Sequence, residues 1–517
     1  MTAKIIMLAV FFGVMLGVGF YSRSKATNVN DYVLGGRSVG PWITAFAFGT
    51  SYFSSVVFVG YAGQFGWKYG ISATWIGLGN AFIGSLLAWL VLGRRTRVMT
   101  QKLEARTMPE YFGKRYDSKA LRLAGAVIAF IFLIPYTASI YNGLSRLFGM
   151  AFNIPYEVCI IVMALLTAVY VIIGGYMATA LNDFIQGIIM LIGICAVIGA
   201  VLTSHGGFLG ALNELSQVPE DPAVTTAALS GSQGLFASFF GPDPLNLFGV
   251  IVLTSLGTWG LPQMVHKFYT IKDEKAVKTG TVVSTFFAVI VAGGCYFLGG
   301  FGRLYRFFDI YTVNAQGVKS VAYDQIVPSM LETLPDLLIG IVVVLVLSAS
   351  MSTLSSLVIT SSSTITIDLL KETFFKNMKD KQQLITMRVL VAVFVVLSVV
   401  MAIKPPMFIA QLMGVSWGAL AGAFLAPFMY GLYSKKITKA AVWASYIWGV
   451  GFTVVNMLFK VIASPINAGA LTMVVGLVVV PVVSLITPKM DKKYVDDIFT
   501  CYDRTVVVHT KNSLEEE

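Results

Sequence analysis

Apolar runs of about 20 residues recur from end to end of this chain, broken by short polar stretches, and each is long enough to cross a hydrocarbon layer as a helix. The pattern predicts about thirteen helical spans, near 5–21, 41–66, 71–93, 121–150, 156–176, 178–203, 245–268, 276–302, 336–362, 385–403, 407–433, 438–460 and 466–487. The runs are continuous and do not alternate residue by residue, so they are not the strands of a β-barrel. Basic residues fall in every second loop. Arg23, Lys25 and Arg37 follow the first span, and seven bases from Arg94 to Arg115 follow the third. Lys272, Lys275 and Lys278 follow the seventh, Lys371, Lys376, Lys379 and Lys381 the ninth, and Lys435, Lys436 and Lys439 the eleventh. The intervening loop from His205 to Pro244 has neither Lys nor Arg. Under the positive-inside rule this places the N-terminus outside and the C-terminus in the cytoplasm.

Two spans carry interruptions. The second contains Gly49-Thr50-Ser51-Tyr52-Phe53-Ser54-Ser55, and the seventh contains Thr254-Ser255-Leu256-Gly257-Thr258-Trp259-Gly260-Leu261-Pro262. Glycine and proline there free backbone groups from the helical ladder. The two spans are five apart, an odd offset, so repeats headed by them run in opposite directions through the bilayer. Paired, interrupted spans of this kind point to the midplane site of a secondary transporter; the bland alternative is two unrelated kinked helices. In the ninth span, Ser348, Ser352, Ser355 and Ser356 recur at i, i+4, i+7 and i+8 and share one helical face. That face serves either close helix packing, with hydroxyls bonded to their own carbonyls, or the binding of a small hard cation.

Composition narrows the chemistry. Hydrophobic residues make up 56% and charged residues 12% of the chain, against about 25% charged in a soluble domain. The net charge of +11 lies in short loops and reads as a topology signal, which removes nucleic acid as a partner. The first run lacks a small-residue cleavage site and is expected to be a retained span. Cys159, Cys195, Cys295 and Cys501 are scattered, with no metal or redox spacing. No histidine sits beside a nucleophile and no Walker sequence occurs, so neither an enzyme nor an ATP-driven pump is expected. Asp183 is the acid clearly inside a span, with Gln186 on its face. It is either a helix N-terminal acid favoured by the dipole or a negative charge that assists a cation. The scarcity of buried acids and histidines favours sodium over protons as the coupling ion.

Asp31-Tyr32-Val33-Leu34-Gly35-Gly36-Arg37, Ala180-Leu181-Asn182-Asp183-Phe184-Ile185-Gln186-Gly187, Met351-Ser352-Thr353 and Lys404-Pro405-Pro406, in this order and spacing, resemble the sodium:solute symporter family. The resemblance implies an all-α polytopic membrane protein with the leucine-transporter-type 5+5 inverted repeat. Residues 1–40 would form an extra helix and loop, 41–203 the first repeat and 204–244 an extracellular loop. Residues 245–433 would form the second repeat, 434–487 two additional helices and 488–517 a cytoplasmic tail. It implies a sodium site built from the carbonyls of Thr50, Phe53 and Ala349 and the hydroxyls of Ser352 and Thr353, with Asp183 on the sodium pathway. In the family's proline permeases an aspartate stands at Tyr52 and a tryptophan at Val56, and aromatic residues stand at Thr254 and Thr258. Leu181-Asn182-Asp183, Gly260-Leu261-Pro262, Lys272-Asp273 and Lys404-Pro405-Pro406 look more like the pantothenate-permease branch. By position, Tyr52, Ser54, Ser55, Tyr136, Tyr141, Thr258, Trp259 and Gln263 are candidate solute contacts, with bundle packing as the alternative for each aromatic.

The expected function is sodium-coupled uptake across the cell membrane of a small organic solute carrying a carboxylate, such as pantothenate, a monocarboxylate or proline. The partners are solute, Na+ and the lipid bilayer, and a single copy is sufficient, with an oligomer as the alternative. The rival readings are a channel or uniporter on the same scaffold and a non-transporting membrane sensor.

Overall fold

The computed structural model describes residues 2–22, 28–305, 311–313 and 319–503. Arg23, Lys25 and the closing glutamates of the tail lie outside them. Apart from turns and loops, the described chain is helical except for a small hairpin, Tyr311–Val313 paired antiparallel with Lys319–Val321, and a single bridge between Val39 and Ile271. The sequence pattern had not anticipated this hairpin, because each strand is only three residues long.

Among the described residues, eleven helices are long and apolar enough to cross a membrane, and twelve if one bent pair, Pro244–Gly260 with Pro262–Tyr269 at 46°, is a single span. The expectation was thirteen. The difference arises in the second and third spans, where the half-helix Pro41–Thr50 is too short to count and Val56–Lys102 is one continuous helical stretch. Its contacts nonetheless show two legs. Gly49 and Gly66 face Phe287 and Gly299 of helix Glu274–Gly300, whereas Gly77, Trp89 and Gly93 face Gly293, Gly280 and Val277. The first leg therefore runs with that helix and the second against it. The reversal falls at Gly70, whose φ of +61° suits a residue without a Cβ. Tyr156–Ser204 similarly joins two expected spans at Gly175, φ +58°.

Burial sorts the helices into layers. All residues from Val342 to Thr364 of the serine-bearing helix are buried, as is nearly all of Ile409–Tyr433. Helices Lys4–Ser22, Asp380–Ile403, Lys439–Phe459 and Pro465–Ile486 are largely exposed along apolar surfaces, as helices facing lipid are. The base-free loop is a folded cap: helix Gly207–Ser216 and the turn at Leu235–Ala237 bury Ala211, Leu215 and Phe236 with Phe301, and Arg303 pairs with Asp221 at 2.7 Å.

The base-rich loops gather at one end of the bundle. Arg37 donates to the carbonyls of Thr100 and Ala105, Arg115 to those of Gly431 and Ser434, and Arg122 pairs with Asp368 at 2.7 Å. Burial pushes the Glu110 carboxyl up, but Arg106, Lys114 and Arg122 outweigh it and hold that group below the usual carboxylate range. The tail docks here through helix Lys492–Phe499, with Asp496 on Lys435 and Asp497 on Lys102.

Glycine sets the closest approach in the bundle. A methyl group on Gly66 would fall inside the Gly299 backbone, whereas one on Gly17 meets nothing within 4 Å. Gly66→Ala is therefore expected to cost about 1–3 kcal/mol or more of stability, read as a lowered unfolding midpoint in detergent, with Gly17→Ala close to wild type.

Candidate functional site

The break in the second span follows from its residues. After Gly49 and Thr50 the run Ser51-Tyr52-Phe53-Ser54-Ser55 offers weak helix formers whose side chains compete for backbone groups. The last turn tightens, with Tyr52 N–H on Gly49 O and Phe53 N–H on Thr50 O. Ser54 restarts the helix, its hydroxyl accepting from Val56 N–H at 3.2 Å and its carbonyl from Val57 and Phe58. Ser55 is left with an amide pointing out of the ladder. Ser350 of the serine-bearing helix supplies the acceptor, at 3.0 Å, and the Ser55 hydroxyl donates to Ile140 O at 2.8 Å. Two neighbouring helices thus satisfy the unwound segment.

Five oxygens meet across this break. The Ser352 hydroxyl lies 2.9 Å from Thr50 O and 3.1 Å from Ala349 O. The Thr353 hydroxyl lies 3.1 Å from Ala349 O and 3.4 Å from Phe53 O. The structure thus brings together all five groups of the expected sodium set. Residues 349, 352 and 353 share one turn of helix, and Thr50 stands at the C-terminal, partly negative end of its half-helix. The Thr50 hydroxyl is not in the cluster, since it donates to Phe46 O at 2.8 Å. The other serines of the stripe go elsewhere. Ser348 bonds its own Val344 O at 2.7 Å, Ser355 bonds Ser352 O, and Ser356 meets Ser51 at 3.0 Å. Ser348 therefore bonds within its own helix, whereas Ser352 reaches a carbonyl of the broken span.

The candidate solute contacts divide in the same way. Tyr52 donates to Thr254 O of the other broken span at 2.5 Å and stacks on Trp417 at 5.9 Å, and Tyr136 meets that indole edge-on at 5.8 Å. Thr258 and Trp259 donate to Gly84 O and Ile83 O, both at 2.9 Å, which ties them to the third span. Ser54 and Ser55 are committed to the break as described. Tyr141 is buried beside Thr167, and Gln263 is buried with both amide atoms unpartnered among the described residues.

Asp183 lies one turn before Gly187, whose backbone packs on Phe46 and Thr50. It pairs with Lys267 at 3.3 Å, both side chains being at most 1% exposed. Lys267 was missed in the sequence because it lies at the edge of its span, where a lysine reads as snorkelling to the surface. The signal was there: one buried acid in a bilayer calls for a partner, and Lys267 falls within the seventh span. Ser350 and Trp417 were also missed, the first because it stands off the serine stripe and the second because nothing local marks it.

A helical bundle in which a side chain of one broken span reaches across to the other has the architecture of a secondary transporter. The same fold is found in the substrate-bound outward-open structure of a Na+-coupled sialic acid symporter, with TM-score 0.75, 17% identity, and 95% of this chain and 98% of that one covered. A closed structure of Mhp1, a nucleobase-cation-symport-1 family transporter, matches with TM-score 0.54, 12% identity, and 90% and 98% covered. Residues 32–449 match the model of the sodium:solute symporter family, and the chain belongs to that family. Relatives include the osmoregulated proline transporter OpuE of Bacillus subtilis (29% identical; 86% of this chain, 87% of that one) and the sodium/proline symporter of Staphylococcus aureus (28%; 94% and 93%). Both are described as proline transporters, so the likeness to the pantothenate branch is not supported; it rested on loop and scaffold residues, which carry little information about solute.

The Ser350 hydroxyl is the acceptor for a buried amide. Ser350→Ala is expected to cost about 1–3 kcal/mol, seen as a lower unfolding midpoint in detergent, while Ser348→Ala leaves the midpoint near wild type.

Proposed function

We propose that the chain is a sodium-driven symporter that takes up a small organic carboxylate, and that Na+ is bound by the carbonyls of Thr50, Phe53 and Ala349 with the hydroxyls of Ser352 and Thr353. The observation that carries this reading is the meeting of those five oxygens at an interrupted helix, with no ionised group among them. A neutral oxygen cage suits a hard monovalent cation, because unwound carbonyls and half-helix C-terminal ends replace its water. The hydroxyl protons turn away as the ion enters. Family membership supports Na+ as the cargo ion.

The solute sits beside the cage, between the two broken spans. The unpartnered Gln263 amide near the start of half-helix Pro262–Tyr269 supports a carboxylate there, since it adds a donor to a partly positive helix end. Proline is the first solute to test, because both relatives above are described as carrying it. Tyr52, packed on Trp417, would form one wall and Tyr136 another. Asp183 assists the ion on its way to the base-rich end, which is the cytoplasmic one by the positive-inside rule. The protein crosses the cell membrane thirteen times, with Val56–Lys102 counted as two legs, in the inverted-repeat plan with boundaries at 41–203 and 245–433. One copy holds the whole cage. Sodium and solute raise each other's affinity by the same factor, so the sodium gradient drives uptake.

Losing one oxygen from a bound cation costs about 1.5–3 kcal/mol, or about ten- to a hundredfold in affinity. Ser352→Ala and Thr353→Ala are therefore expected to raise the sodium concentration for half-maximal proline uptake by that factor at normal abundance, and Ser348→Ala to leave it unchanged. Unaltered sodium dependence in both variants would refute the cage. If proline is not carried, short monocarboxylates are screened in the same vesicles with and without a sodium gradient.

A further inference from the structure

At the end of the bundle away from the base-rich loops, three helices converge on a cleft of about 160 Å3. They are the outer part of the second span (Ala62–Tyr69), the start of Pro244–Gly260 and the start of Pro465–Ile486. The cleft lies beside the folded cap, because Gly70, next to Tyr69, packs its backbone on Phe236. At 1.5 Å per residue, Tyr69 stands about 20 Å along the helix from Ser55, so the cleft is separate from the oxygens at the break.

The cleft is lined by one charge of each sign, Lys68 and Asp243, both half-buried. They share the space without forming an ion pair. Among the described residues the Lys68 ammonium meets no acceptor, and its near neighbour is the Tyr323 ring, 5.3 Å from its centroid. Asp243 caps its helix, with Oδ1 accepting from the Asn246 backbone N–H at 3.1 Å and Oδ2 from the Asn246 side-chain amide. One hydrogen bond on each oxygen leaves the carboxylate room for more donors. Asn467 donates to Asn246 Oδ1, which ties the last helix to this cap. The rings of Phe65 and Tyr69, stacked at 6.0 Å and 17°, add an apolar wall. Drug-sized ligands occupy sites of about 300–1,000 Å3, so this smaller cleft suits a solute of amino-acid size.

We propose that this cleft is an outer receiving site for a zwitterionic amino acid, with Lys68 taking its carboxylate and Asp243 its ammonium group before the solute moves on to the broken spans. The proposal rests on the symport reading above for its purpose, and adds that the solute carries both charges. An ammonium and a carboxylate that face one space unpaired are each satisfied by the opposite end of a zwitterion, through charge-assisted hydrogen bonds. A monocarboxylate would leave Asp243 facing a second negative charge, and a plain amine would leave Lys68 facing a second positive one. Specificity thus comes from repulsion as well as attraction. No group of the sodium cage takes part, so binding here does not require sodium.

The test is saturation-transfer NMR of L-proline with the purified full-length chain in nanodiscs, with potassium in place of sodium. Wild type is expected to bind proline under these conditions. Lys68→Gln and Asp243→Asn are each expected to weaken that binding about tenfold or more, whereas Lys68→Arg, and Ser352→Ala with Thr353→Ala, keep it. Proline methyl ester, which lacks the carboxylate, and N-acetylproline, which lacks the ammonium group, are expected not to displace it. No sodium-independent binding by wild type, full binding by either charge variant, or displacement by either derivative would overturn the proposal. Asparagine caps a helix as well as aspartate does, so Asp243→Asn decides the matter even where Lys68→Gln does not fold. Failure of wild type to take up proline along a sodium gradient would instead sink proline symport, and the binding result would still decide the cleft.

Discussion

Backbone groups inside a bilayer cannot be left to water, and that constraint organises this molecule. The helix starting at Pro41 stops at Thr50 and does not resume until Val56, so amides and carbonyls are set loose at the centre of the bundle. The surrounding helices must answer each of them. Ser350 takes the Ser55 amide, Ile140 takes the Ser55 hydroxyl, and Ser352 and Thr353 reach the carbonyls of Thr50 and Phe53. What remains after this accounting is an excess of oxygen at one spot, and an excess of oxygen is what a bare cation needs.

The rest of the bundle keeps that spot in place. The serine-bearing helix is buried all round, so its hydroxyls face protein on every side. Gly187 lets the sixth span close on Phe46 and Thr50, and Gly257 lets the other broken span close on Trp417. The Tyr52 hydroxyl on Thr254 O ties the first break to the helix that leads into the second. Tyr52 lies between Thr50 and Phe53 of the proposed ion site, so that site and the second broken span share a direct contact. One sodium ion moved with a zwitterion such as proline carries one net charge, for which a potential of 100 mV is worth about 2.3 kcal/mol; with a monocarboxylate anion the pair is neutral and the sodium concentration gradient alone drives uptake.

Much of this could be read from the residues alone. Continuous apolar runs announced the helices, and the polar patch at 49–55 and the glycines and proline at 257–262 announced the breaks. The serine face pointed to Ser352 along with Ser348, Ser355 and Ser356, whereas the carbonyls of Thr50, Phe53 and Ala349 and the Thr353 hydroxyl came from the resemblance to the symporter family. Other features were hidden for physical reasons. The turn at Gly70 joins two legs without interrupting the helical pattern, so span counts by length differ from counts by direction. Lys267 sits where a lysine ordinarily reaches for water, and only the fold shows it turned inward to Asp183. The roles of Thr258 and Trp259, bonded to the third span, depend on long-range packing that no local pattern encodes. The solute was the least legible, because loop and scaffold likeness says little about a cavity.

The most direct measurement is a pair of structures of the reconstituted protein, one in sodium and one in choline, at a resolution that separates ions from side chains. Density is expected in sodium alone, among the carbonyl oxygens of Thr50, Phe53 and Ala349 and the hydroxyls of Ser352 and Thr353. An ion held elsewhere, with those five groups closed upon one another in both conditions, would contradict it.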